Sequence, residues 1–177
     1  MEASTRILFL LTAANLLLLW CIALLNSVIN PWGFFLYLPG LFFIPHLQLI
    51  DSYRGIFCLL ICGFFQDHFL GHIFGFHGFC LPFLYLIFKE FFHLGKQTSQ
   101  QIIIFQLMIN FGMTMAWTIT SSYLSNYPNP WIVSKFLADL LVSSLILIPL
   151  SLWHTQFCSK LIDLLAHLSL PNVSDSK

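Results

Sequence analysis

The chain has 177 residues, 58% of them hydrophobic and 8% charged, with a mean hydropathy of +0.85. A soluble domain carries about 25% charged residues and keeps a polar outside, so this composition excludes a water-soluble fold and makes lipid the solvent for most of the chain. Seven basic residues balance seven acidic ones, which argues against a nucleic-acid partner.

Taken in order, a short polar start ending at Arg6 leads into an apolar run over 7–29. That is longer than the roughly 7–15 apolar residues of a signal-peptide core, so it is read as an uncleaved first span. Asn15, Asn26 and Ser27 are its polar exceptions and are expected to bond to backbone or to neighbouring helices. Asn30-Pro31-Trp32-Gly33 is a turn at aromatic-belt depth. The second segment, 34–50, is interrupted by Pro39-Gly40 and Pro45 and falls short of the roughly 20 residues a span needs. Unwound backbone at membrane depth survives only against protein, which makes this segment internal or irregular.

Asp51 to Arg54 is a polar break, and 55–70 forms the third span. A tight turn follows over 71–78, then a fourth span over 79–92, closed by Lys89, Glu90, His93 and Lys96. A polar loop precedes the fifth span, 102–123; a turn at 126–130 precedes the sixth, 131–153. The tail, 158–177, carries an amphipathic piece suited to lying at the interface. The expected fold is thus one all-α integral membrane domain, a six-transmembrane-helix bundle. With both termini cytoplasmic, Arg6, Arg54, Lys89, Lys96, Lys160 and Lys177 share the cytoplasmic side and only Lys135 lies towards the other, as the positive-inside rule requires.

The densest chemistry lies in Gly63-Phe-Phe-Gln-Asp67-His-Phe-Leu-Gly71-His-Ile-Phe-Gly75-Phe-His-Gly78. An acid in a hydrophobic span is costly, so Asp67 marks a site by default. Glycines at 63, 71 and 75 fall at four-residue steps through it, the pattern that lets a second helix approach closely. Two readings stay open for Asp67: a coupling or substrate carboxylate, or a structural acid taking the free N–H groups of the glycine turn. Lys135 and Asp139 stand four apart and neutralise each other along one face. Both Asp67 and Lys135 belong to the outer half of the bilayer, where the two can meet.

His68, His72 and His77 raise a metal site, but the spacing lacks a sharp ligand motif. Cys58 and Cys62 share a helix face and read as small buried hydrophobes. Ser121-Ser122 and Ser143-Ser144 are expected to bond back to their own helices. Without a nucleophile–base pair or a phosphate loop, the expectation is a chain that is not an enzyme and that uses no cofactor, no metal and no small-molecule substrate.

The run Gly63-x-x-x-Asp67-x-x-x-Gly71-x-x-x-Gly75-x-x-Gly78-x-x-x-Pro82, between spans three and four and ahead of the Lys89–Lys96 loop, resembles the centre of the MreD family of bacterial rod shape-determining membrane proteins. Pro149, followed by Leu150 and Leu152, is similar to that family's closing pattern, whereas Lys135 with Asp139 departs from it. The resemblance implies a non-catalytic scaffold of the cell-elongation (peptidoglycan-synthesising) machinery in the bacterial inner membrane. It would act with MreC and indirectly with MreB, with Gly63, Gly71 and Gly75 packing closely and Asp67 fixing the turn. The six-helix layout also resembles the substrate-binding S-component of energy-coupling-factor vitamin or metal importers. The A-x-x-x-A docking pattern of those components is missing, since Leu17 and Leu18 stand four residues after Ala13 and Ala14. The polar residues Gln66, Asp67, His68, Asn110 and Trp117 are scattered candidates for lining such a substrate site.

Overall fold

The structure, a computed structural model, describes residues 3–43, 52–70, 74–93, 98–124 and 132–169. Among these the chain is all-helical: α1 (Ala3–Ile29), α2 (Ser52–Leu70), α3 (Phe76–His93), α4 (Ser99–Leu124) and α5 (Ile132–Ser169), with short 3-10 turns at Asn30–Trp32 and Pro39–Phe42. Three stretches are long and apolar enough to cross a membrane, Thr5–Trp32, Ser99–Ser121 and Val133–Leu161. They coincide with expected spans one, five and six. Leu17, Trp20, Met108, Leu141 and Leu145 are all at least half exposed, as side chains facing lipid should be.

The second segment departs from a helical span for a readable reason. Gly33 takes a left-handed φ of 82°, ending the first 3-10 turn, and Pro39 opens the second. Between them residues 34–38 run without helix, and 36–43 are buried. Its remainder, 44–50, lies outside the described residues. The segments expected as spans three and four are the helices α2 and α3, packed on each other as a hairpin with 19 and 18 residues respectively, and neither is among the three stretches long and apolar enough to cross.

Two boundaries move. α5 does not stop near 153: it runs 38 residues, through Pro149, and takes in the start of the expected separate tail. Pro149 removes one N–H from the ladder without ending the helix, a cost neighbouring helices can absorb in a membrane. The four-residue glycine ladder also fails as one helix face. α2 ends at Leu70, Gly75 sits in the turn at φ 97°, and Gly78 belongs to α3. Gly71 lies outside the described residues. Gly63 alone carries the close approach within α2: a Cβ there would stand 2.5 Å from the carbonyl oxygen of His77 and 2.7 Å from Cα of Gly78. Small residues on both sides let the two backbones touch.

Candidate functional site

The non-helical segment exposes backbone groups inside an apolar interior, where each needs a partner. Side chains from two flanking helices supply them. Asn26 of α1 donates from Nδ2 to the carbonyl of Leu36 at 2.9 Å and accepts from its N–H at 2.6 Å, as a neighbouring strand would. On α5, Oδ1 of Asp139 accepts from the Phe35 N–H, and Oγ of Ser143 accepts from the Tyr37 N–H, both at 2.9 Å. Lys135 donates to the Gly33 carbonyl at 3.0 Å while its ammonium lies 3.1 Å from Asp139. The Lys135–Asp139 pair therefore braces the entry to the segment, and Ser143 serves another element instead of its own helix.

The same segment delivers Tyr37 to the turn between α2 and α3. Its hydroxyl bonds Nε2 of His77, and the two rings meet edge to face with centroids 5.4 Å apart. On the other side of the imidazole, Nδ1 donates to Oδ1 of Asp67 at 2.6 Å. With Nδ1 donating, a neutral ring accepts at Nε2 from the Tyr37 hydroxyl, whereas a charged ring donates to it. The Asp67 carboxylate also accepts from the backbone N–H groups of Gly75 (2.9 Å), His77 (3.0 Å) and Gly78 (3.2 Å). These are orphan donors at the start of α3, which a carboxylate satisfies with the helix dipole in its favour. Tyr37, Asp67 and His77 are 3%, 1% and 0% exposed.

Position by position, Asp67, Gly63, Gly75, Gly78 and His77 come together at the α2–α3 turn, while Lys135 and Asp139 lie against the segment's entry. Asp67 and Lys135 do not meet: each is engaged elsewhere, Asp67 with His77 and the turn, Lys135 with Gly33 and Asp139. His68 and His77 do not converge either. His68 is exposed beside Phe69, His77 points inward, and His72 lies outside the described residues. Among the described residues no group of three His, Cys, Asp or Glu side chains is placed to hold a metal. Cys58 and Cys62 are buried, and Cys58 Sγ accepts from Thr12 Oγ1 at 3.3 Å. Trp117 packs edge to face on Phe76, with centroids 5.5 Å apart.

Tyr37 and Ser143 were hidden in the sequence. Tyr37 is one aromatic among 20 phenylalanines and five tyrosines, and nothing local marks its hydroxyl. The signal that could have found it is the Pro39-Gly40 break: unwound backbone in a membrane requires polar partners, and Asn26 and Ser143 are on the helices beside it.

The arrangement is a buried carboxylate–imidazole–phenol chain tying three separate pieces of backbone together, in a chain whose described residues are all-helical and include three helices long and apolar enough to cross a membrane. No known family model matches the sequence, and neither a curated relative nor a solved structure does.

Proposed function

We propose that this chain is a non-catalytic scaffold of the bacterial inner membrane, of the MreD type, serving the cell-elongation machinery beside MreC and, through it, the MreB filament. One observation carries the reading. The fully buried carboxylate Asp67 spends its acceptor sites on one imidazole and three backbone N–H groups, which is the chemistry of a fastener. A coupling acid must exchange protons or ligands, and this one is occupied by the turn it holds. The tight α2–α3 contact at Gly63 and the wide apolar faces of α1 and α5 suit a rigid body that presents helix surfaces to partner transmembrane segments. On this reading the chain crosses the membrane several times, and both termini face the cytoplasm with the basic residues.

The test is depletion in the native host with cell shape imaged as levels fall, together with co-purification of MreC. Rods that swell or round, and loss of MreC from the Gly63→Leu variant, are expected. Unchanged shape, with growth restored by a vitamin or trace metal, would overturn the proposal in favour of an importer subunit.

A further inference from the structure

The α2–α3 hairpin is shorter than the helices it packs beside, and the shortfall lies at one end. Its two helices are antiparallel: Gly63 faces His77 and Gly78, and Gly55 faces Tyr85. α3 and α4 are antiparallel as well, because Phe88 meets Phe105 and Phe76 meets Trp117, with ring centroids 5.0 and 5.5 Å apart respectively. The two contacts are twelve residues apart on both helices, so the helices rise together. Beyond Phe88 and Phe105 they finish nearly level, α3 at His93 and α4 at Ser99. At the other end Phe76 is the first residue of α3, whereas α4 continues seven residues past Trp117 to Leu124, about 10 Å further.

α1 overhangs the hairpin at the same end. Thr12 of α1 meets Cys58 of α2 at 3.3 Å. Both helices run from there towards the α2–α3 turn, which Tyr37 reaches from the segment leaving α1. Past that contact α1 continues seventeen residues to Ile29 but α2 only twelve to Leu70, a difference of about 8 Å. The polar residues give the same measure. Thirteen residues separate Arg54 from Asp67 on α2, and Phe76 from Lys89 on α3. Each step is about 20 Å, against about 30 Å for the hydrocarbon core of a bilayer.

The flank of the hairpin between these levels suits lipid, with Phe57, Phe65, Phe79, Phe83 and Ile87 all exposed. At its short end the imidazole of His68 is exposed too. The matching level on α1 is Cys21, nine residues past Thr12 as Asp67 is nine past Cys58, and it is exposed among Trp20, Leu24 and Leu25. One depth therefore carries a polar side chain on the hairpin and an apolar face on α1. A bilayer thicker than the wall it meets can adapt by thinning locally.

We propose that the α2–α3 hairpin draws the headgroup layer of one leaflet down to its turn, making lipids with short acyl chains its preferred partners on that side. His68 then lies among headgroups and water, where an imidazole costs little, and the Asp67–His77 cap lies just beneath the membrane surface. The inference rests on the crossing of the membrane by α1, α4 and α5 and not on the machinery that the scaffold serves, so the cell-shape assay can fail alone.

The experiment compares two thiols at one depth: native Cys21 and the His68→Cys variant of the full chain, in nanodiscs of dioleoylphosphatidylcholine. Labelling by a sulfonated maleimide is followed peptide by peptide by mass spectrometry. The variant thiol should react at least about tenfold faster than Cys21, because a charged reagent is excluded from hydrocarbon. Equal rates, slow or fast, would overturn the proposal: slow means that the turn is in hydrocarbon or covered by a second copy, fast that the whole level is wet. Should His68→Cys fail to fold, Phe74→Cys, at a turn residue 75% exposed, takes its place. As a second measurement, the Tm of the unmodified chain should be higher in dimyristoleoyl- than in dieicosenoyl-phosphatidylcholine; a Tm that is unchanged or higher in the longer lipid would also overturn it.

Discussion

The Asp67 carboxylate and His77 are joined twice through one oxygen: Oδ1 receives the imidazole Nδ1–H at 2.6 Å and the backbone N–H of the same residue at 3.0 Å. The double bond fixes the ring as well as the start of α3. A ring fixed this way can only present Nε2 in one direction, and that direction is Tyr37. The α2–α3 turn is thereby coupled to the unwound segment 40 residues earlier in the chain.

Asp67→Asn should therefore destabilise the chain well beyond an ordinary polar substitution. An amide oxygen can keep part of the cap, but the NH2 group faces donors that it cannot accept from. With each buried unsatisfied donor costing about 1–3 kcal/mol, a loss of about 2–4 kcal/mol is expected in reversible unfolding from detergent. Asp67→Glu should not rescue, because an added methylene displaces the carboxylate from a turn with no slack.

Tyr37→Phe removes one hydroxyl and keeps the ring. The expected cost is about 1–2 kcal/mol, because His77 Nε2 is left buried without this partner. A double-mutant cycle with His77→Leu should return a coupling energy of about 1 kcal/mol or more. Additive effects would mean that the two rings only touch.

Much of this was legible before the structure. The cost of an acid in an apolar span pointed to Asp67, and the glycine-rich stretch after it supplied the N–H groups it takes. The Pro39-Gly40 break announced an internal, unwound segment. What could not be read were the long-range partners. Ser143 looks like any membrane hydroxyl bonding its own helix, and its acceptance of the Tyr37 N–H depends on α5 lying beside a segment 106 residues away. The glycine period misled because spacing in sequence becomes a helix face only while the helix continues, and α2 ends at Leu70. The length of α5 was missed because Pro149 and polar residues after 153 suggest a stop that packing overrides.

The backbone-to-backbone contacts give a sharp contrast among glycines. Gly63→Ala places a methyl 2.5 Å from the His77 carbonyl oxygen, and Gly40→Ala places one 2.1 Å from that of Gln106. Neither obstacle is a side chain that can swing away, so helices must part. Each substitution should cost about 1–3 kcal/mol or more, the range for overpacking a core. Gly112→Ala is the control: its Cβ meets nothing within 4 Å, and helix propensity favours alanine by up to about 1 kcal/mol. Unfolding midpoints that fall together for all three would remove the packing argument.

The brace at the segment's entry should divide unequally between its two charges. Lys135 has a side chain 55% exposed and Asp139 one only 13% exposed, so solvent and lipid headgroups can replace much of what the lysine contributes. Lys135→Met is expected to cost less than about 1 kcal/mol. Asp139→Leu also strips the Phe35 N–H of its acceptor at 2.9 Å and should cost about 1–3 kcal/mol. Asp139→Asn retains an oxygen that can accept that bond and should recover most of the loss even though the ion pair is gone. If asparagine proves as damaging as leucine, the charge pair holds the segment, and the backbone hydrogen bond does not.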